Sequence, residues 1–215
     1  MKKTKLISTI IIFTLLSLTS CKKDETKPSI TLNGENPIYL SLGESYTELG
    51  ATATDDKDGD ISSKIEISHS IDPLLVNEYI VNYTVTDKAG NKSSASRIVN
   101  IKANLLGGTY QATSDTKNYS LEVIGTSTFN RITFKNFGNY GNNNIFYSKI
   151  YGDSIAIDTK TISIGNNNHR IFDARGYYSK NNQIFKIDSV VYKETITPAG
   201  STTGETFIRR EVWTK

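Results

Sequence analysis

Asp55, Asp56, Asp58 and Asp60 crowd one loop around Gly59. Clustered carboxylates on a sharp glycine turn are the donors that a hard, oxygen-seeking Ca²⁺ takes. Asp87, in a second turn, is a candidate fifth ligand. The loop lacks the Glu that closes a twelve-residue calcium loop, and a metal-free turn held by Asx hydrogen bonds accounts for the same residues, so both readings stay open. A second constellation is aromatic. Tyr140, Tyr147, Tyr151, Tyr177 and Tyr178 fall in or beside expected turns, where a flat ring could stack on the C–H face of a sugar. The competing reading is that Tyr, with its apolar body and polar tip, is simply a favoured strand residue.

Other chemistry lacks its residues. The two histidines, His69 and His169, stand far apart and outside any H-E-x-x-H spacing, so no zinc site is expected. The chain holds no G-x-S-x-G, no G-x-G-x-x-G and no phosphate-cradling loop with its lysine, the usual signals of nucleophilic hydrolysis and nucleotide chemistry. Glu194 and Glu205 flank a Thr/Gly-rich stretch, a poor seat for paired glycosidase carboxylates that need a fixed separation. The expectation is a protein that binds and does not catalyse. Charge narrows its partners further. The 25 Lys and Arg oppose 22 Asp and Glu, and three of the lysines, Lys2, Lys3 and Lys5, sit in a leader segment. Without them the balance is neutral, and nucleic acid is not an expected partner.

That leader is an apolar run from Leu6 to Leu18 behind the lysines, closing in small residues before Cys21, the pattern of a secretory signal peptide at residues 1–20. Thirteen residues of helix cover about 20 Å, short of the roughly 30 Å of a bilayer core. Leu18-Thr19-Ser20-Cys21 resembles the bacterial lipobox. The resemblance implies cleavage before Cys21, the only cysteine of the chain, and lipidation of its thiol: a thioether-linked diacylglycerol with further acylation such as palmitate. Residues 21–28 then read as a solvated tether, and Lys22-Lys23-Asp24-Glu25 is similar to the surface-export signal of Bacteroidota lipoproteins. That implies a lipid-anchored outer-membrane protein facing the outside of the cell, with a periplasm-facing lipoprotein as the alternative.

From residue 29 to 103 the chain breaks into short runs with turn residues between them and no helical period. In Glu78-Tyr79-Ile80-Val81-Asn82-Tyr83-Thr84-Val85-Thr86, residues Tyr79, Val81, Tyr83 and Val85 share one face, the mark of a half-buried strand. Asp87 to Asn91 turns it into a hairpin with a strand from Ser94 to Lys102. Ser29–Leu32, Ile38–Leu42, Tyr46–Thr54 and Lys64–Ser68 are further strands at sandwich spacing. The segments PSITLNGENPIYLSLGESYTELGATATDDKDGDIS and EYIVNYTVTDKAGNKSSASRIVNI resemble the bacterial Ig-like domains of surface proteins and of some insecticidal crystal toxins. The family pattern of P-x-I-x-L, G-x-x-Y, G-A-x-A-x-D, D-G-D-I and Y-x-V-x-Y-x-V-x-D-x-x-G-N is present throughout. It implies a seven-stranded β-sandwich acting as spacer or binding module.

Composition shifts at Ala103-Asn104, where Asn and aromatic residues rise, and residues 105–215 read as a second domain. Strands are expected at Gly108–Thr113, Tyr119–Ile124, Asn130–Asn136, Ile145–Ile150, Ser154–Lys160, Thr161–Ile164, Arg170–Ala174, Gln183–Tyr192 and Thr206–Thr214. Tyr119, Leu121 and Val123 alternate onto one face, as do Phe185, Ile187 and Val191. Gly138 to Asn144, Gly165 to Asn168 and Lys180 to Asn182 read as hairpin turns. Eight or nine such strands form an antiparallel meander, closed as a barrel or folded as a sandwich. Gly107-Gly108-Thr109-Tyr110, Ile132 to Gly138 and Arg210-Glu211-Val212-Trp213 resemble the lipocalin-like C-terminal domains of small lipoproteins. The fold class is thus all-β, an Ig-like sandwich followed by a meander. The expected function is a non-catalytic envelope lipoprotein whose second domain takes a ligand, a glycan first among candidates. A structural or adhesive protein binding another envelope protein and a small hydrolase stay open as alternatives.

Overall fold

A computed structural model describes residues 23–163, 169–181 and 184–215. The expected signal peptide, Cys21 and the expected turns at Gly165–Asn168 and Asn182 lie outside the described residues. The chain is all-β, and its first half forms two facing sheets. Strands β1 (Ser29–Leu32), β3 (Ala51–Asp55) and β4 (Gly59–Asp60) make one, while β2 (Ile38–Ser41), β7 (Lys92–Lys102), β6 (Glu78–Thr86) and β5 (Glu66–Ser68) make the other. These are the seven strands of an Ig-like sandwich. The β6–β7 hairpin is its spine, with Thr86 opposite Lys92 and Glu78 opposite Asn100. Val81, Tyr83 and Val85 face the core. The run from Tyr46 to Gly50, expected as strand, carries none. There the chain serves polar contacts: the Glu48 carboxylate accepts from Tyr46 Oη at 2.8 Å, Tyr83 Oη at 2.6 Å and the Gly50 N–H at 2.6 Å.

A 3₁₀ turn at Ala103–Leu106 leads into the second half. There β8 (Gly108–Thr113), β9 (Asn118–Gly125), β10 (Arg131–Lys135), β11 (Phe146–Tyr151), β12 (Ser154–Ser163), β13 (His169–Asn181), β14 (Ile184–Thr197) and β15 (Glu205–Thr214) run as an antiparallel meander. It closes into an eight-stranded barrel when β15 pairs with β8, Val212 opposite Thr113. Closure removes the open edges of the sheet.

Two bulges explain where the sequence misleads. In β12 the register slips between Ile157 and Lys160, so the buried set changes from Ile155 and Ile157 to Ile162. An extra residue flips every later side chain to the other face, which is why one bent strand reads as two. A second slip opposes Tyr177 to Ser189 but Tyr178 to Ile187. Phe185 and Ile187 point inward, then Val190 and Tyr192 do, and Val191 faces solvent, contrary to the expected common face of Phe185, Ile187 and Val191.

The barrel interior is filled, as an eight-stranded barrel permits. Phe137, carried by a 3₁₀ turn after left-handed Asn136 (φ 61°), folds into one end. Its ring centroid lies 4.8 Å from Phe146, 5.2 Å from Tyr192 and 6.1 Å from Trp213. Glu211 is fully buried among them and accepts from Tyr119 Oη at 2.6 Å, Tyr192 Oη at 3.0 Å and Trp213 Nε1 at 3.1 Å. The buried Glu211 carboxylate thus has its partners, and the aromatic packing leaves the lumen to side chains.

Sandwich and barrel share one continuous cluster of buried side chains. At their seam Val76 forms a bridge with Gly152. The Tyr178 hydroxyl accepts from the Val76 N–H at 2.8 Å and donates to the Gly152 carbonyl at 2.7 Å. Phe185 packs so tightly on Gly43 that a Cβ there would sit 2.8 Å from its ring.

Candidate functional site

The filled lumen moves the search to the outer face of the barrel. Along β13 alternation sends Asp173, Arg175 and Tyr177 outward while Phe172, Ala174 and Tyr178 go in. Neighbouring strands add outward partners at defined register: Ser154 lies opposite Tyr177, Ala156 opposite Arg175, Val191 opposite Arg175 and Lys193 opposite Asp173. Small side chains between large ones leave two open grooves. One, of about 290 Å³, is lined by Tyr151, Ser154, Ala156, Arg175 and Tyr177. The other, of about 420 Å³, is lined by Asp173, Arg175, Tyr177, Val191, Lys193 and Ile208. They share Arg175 and Tyr177. Tyr151 and Tyr177 are 57% and 53% exposed, so each offers a ring face. Arg175 provides a donor to both grooves, and Asp173 an acceptor to the larger.

The structure divides the five tyrosines. Tyr151 and Tyr177 flank the groove, and Tyr147 is equally open on β11 but four residues from Tyr151 along the strand. Tyr178 is buried at the seam, a correction to its expected place at the surface: adjacent strand residues point to opposite faces, and with Tyr177 outward Tyr178 turns in against Val76 and Gly152. Tyr140 is also withdrawn. Its ring packs against Phe172, its hydroxyl donates to Glu194 Oε1 at 2.5 Å, and it accepts from Lys117 Nζ at 3.3 Å and from Arg170. Burial and the Glu194 carboxylate push the Tyr140 phenol well above its ordinary range. Glu194 itself pairs with Arg170 and with Arg209. Burial pulls its carboxyl upward, but the bonds from Tyr140 and Arg170 outweigh that and hold it below the usual range. It is spent on structure, while Glu205 is exposed.

The aspartates divide as well. Asp60 accepts from Ser62 Oγ at 2.6 Å and the Ser62 N–H at 2.9 Å, an Asx turn. Asp58 accepts from the Lys88 N–H at 2.7 Å and pairs with Lys88 Nζ at 3.3 Å. Asp56 has only the Thr26 hydroxyl, 3.5 Å away. Among the described residues none of these three joins a metal-sized group. Asp55 and Asp87 do, because the Asp58–Lys88 contact draws the β3–β4 and β6–β7 turns together. Their third member is Asp24, and one carboxylate oxygen of each lies within 4.8 Å of the other two. Residues 24–28, expected as a free tether, lie against the sandwich. Asn91 Nδ2 donates to the Asp24 carbonyl at 3.2 Å, Lys57 pairs with the Asp24 carboxylate at 3.0 Å, Ser93 Oγ donates to the Pro28 carbonyl at 2.6 Å, and Pro28 is buried.

Sequence reasoning missed Arg175, Asp173 and Asp24. The first two were legible, since they stand two and four residues before Tyr177 on the same face. Asp24 had no local signal, because its partners are 31 and 63 positions away.

Fold and site define a β-sandwich leading into a plugged barrel whose accessible features are on its outside. Residues 30–101 match the family model described as bacterial surface protein, Ig-like domain, and this segment is such a domain. The lipoprotein BT2262 from Bacteroides thetaiotaomicron is similar at 15% identity, covering 86% of this chain and 99% of that one, with a TM-score of 0.35. The CBM51-2 and INT domains of Clostridium perfringens ZmpB, solved with GlcNAc, are similar at 20% identity over 87% of this chain and 44% of that one, with a TM-score of 0.31. No curated protein matches the chain.

Proposed function

We propose that the protein is a non-catalytic lipoprotein of the bacterial cell surface, anchored through Cys21, whose barrel captures glycan in the groove between Tyr151 and Tyr177. The observation that carries this reading is the pair of half-exposed tyrosines on either side of a floor of Ser154 and Ala156, with Arg175 against both grooves. A pyranose resting its C–H face on Tyr177 would lose apolar surface to the ring while its hydroxyls meet Arg175 and Ser154. That combination of flat apolar wall and few fixed polar groups suits a ligand that is itself two-faced. The Ig-like domain holds the barrel off the membrane. A second reading, an adhesive protein that binds another envelope protein, draws on Val191, Ile208 and Val212 of the same outer face; Ile208 is 73% exposed.

One experiment tests both parts. Cells displaying the wild-type chain are probed with a panel of fluorescent glycans alongside Cys21→Ser and Tyr177→Ala. Wild-type cells should bind one sugar family, Tyr177→Ala should stay on the cells and bind at least tenfold more weakly, and Cys21→Ser should leave the membrane fraction. Glycan binding undiminished by Tyr177→Ala would move the site elsewhere. No sugar bound, with an envelope protein recovered instead, would favour adhesion.

A further inference from the structure

We infer that Asp24, Asp55 and Asp87 form a Ca²⁺ site that clasps the N-terminal segment onto the end of the Ig-like sandwich. Two observations carry this independently. The three carboxylates approach to within 4.8 Å, and ligands on opposite sides of a Ca²⁺ at about 2.4 Å stand about 4.8 Å apart. Asp55 is only 8% exposed, and its Oδ2 is buried without a hydrogen-bond partner. A buried ionised oxygen left bare is costly, and a cation is the partner that removes the cost.

The remaining bonds leave the carboxylates poised. Asp55 Oδ1 accepts from the Lys57 and Asp58 N–H groups at 3.0 and 2.9 Å, fixing the side chain and leaving Oδ2. Asp87 is held by the Asn91 N–H at 2.8 Å and Asn91 Nδ2 at 2.7 Å. Asp24 has one nearby cation, Lys57, whose side chain is half exposed. Three carboxylates against one loosely held ammonium leave an excess of negative charge that a divalent ion neutralises. All donors are hard oxygens, and a site of several carboxylates suits Ca²⁺ better than Mg²⁺, which demands near-octahedral geometry and gives up its waters reluctantly. Water fills the remaining coordination. The site joins three chain segments far apart in sequence, so the ion fastens residue 24 to the sandwich. If Cys21 is the anchor proposed above, three residues of chain, at most about 11 Å, separate it from the clasp. That consequence rests on the anchor; the ion site does not.

The test is calorimetric titration of Ca²⁺ into the purified, chelator-stripped chain. It should bind one ion with a dissociation constant of about 10⁻⁴ to 10⁻³ M, the range of extracellular modules. Asp55→Asn and Asp24→Asn should each weaken binding at least tenfold, and Asp60→Asn should leave it unchanged. Tryptic cleavage after Lys23 should slow several-fold when Ca²⁺ is added to wild type, and not in Asp24→Asn. Asp24 packs on no core residue, so its variant remains informative if Asp55→Asn unfolds. Absence of Ca²⁺ binding by wild type up to 10⁻² M would overturn the inference, as would binding undiminished by Asp24→Asn.

Discussion

The sandwich and the barrel each contain a charged side chain with no exposed surface, and they use it in opposite ways. In the sandwich it is Arg97, whose guanidinium donates to the carbonyls of Asn33 at 2.6 Å, Glu35 at 2.9 Å and Gly50 at 3.2 Å, and to Tyr83 Oη at 3.1 Å. In the barrel it is Glu211, which accepts from two tyrosines and a tryptophan. An open sandwich has loops with unpaired carbonyls, and a buried fork of N–H donors ties several of them at once. A closed barrel has few loose backbone groups inside. Its difficulty is to set many rings in one arrangement, and a carboxyl that accepts from three of them does that. The comparison teaches that the sandwich invests its polar groups in joining segments and the barrel invests them in internal order. The accessible chemistry of each follows: three gathered carboxylates at a loop-rich end, and a groove on an outer wall.

The largest effect should come from opening the barrel. Phe137→Ala removes the plug that touches Phe146, Phe172, Tyr192 and Trp213, and large-to-small changes of this kind cost about 3–5 kcal/mol. Denaturant unfolding should register that loss. A change below about 1 kcal/mol would mean that the lumen is not close-packed. Next comes the seam. Tyr178→Phe deletes a hydroxyl that serves the Val76 N–H and the Gly152 carbonyl, leaving a buried donor unpaired at a cost of about 1–3 kcal/mol. Calorimetry should then show the sandwich and barrel transitions drawing apart, whereas an unaltered single transition would mean the shared core alone couples them.

The smallest effect is that of pH, and it has the same sign in both halves. Burial raises Glu48 in the sandwich, but bonds from Tyr83, Tyr46 and the Gly50 N–H, with the charge of Arg97, outweigh it and hold the carboxyl below its usual range. Glu194 in the barrel is lowered in the same manner. The unfolded chain therefore takes up these protons first, so their contribution is complete above about pH 4.3 and is lost as pH falls through the folded values. Burial pushes Tyr110 up to about 12 and the other core tyrosines upward too. Their contribution is complete below about pH 10 and is lost as pH rises toward the folded values. Melting temperature measured across pH should fall on both flanks. A flat acid limb would show that Glu48 and Glu194 gain nothing from their partners.

Much of the fold was legible because β alternation is local. Tyr79, Val81, Tyr83 and Val85 announced β6 and its buried face, Tyr119, Leu121 and Val123 announced β9, and the turn residues announced the meander. The site was less legible. Tyr177 was named, but so was its neighbour Tyr178, and which of the two faces outward depends on register across the barrel. Asp55 and Asp87 were named among five aspartates, and only the meeting of two distant turns picked them out.

By itself the sequence determined the Ig-like segment, the strand-and-turn rhythm and the absence of familiar catalytic motifs, since each of these is written in adjacent residues. Tertiary structure decided that the meander closes, that Phe137 fills it, that a bulge in β14 turns Val191 outward, and that Asp24 meets Asp55 and Asp87. A bulge shifts register without leaving a distinctive residue behind, and contacts between segments dozens of positions apart depend on how sheets stack. Such facts belong to no short stretch of chain.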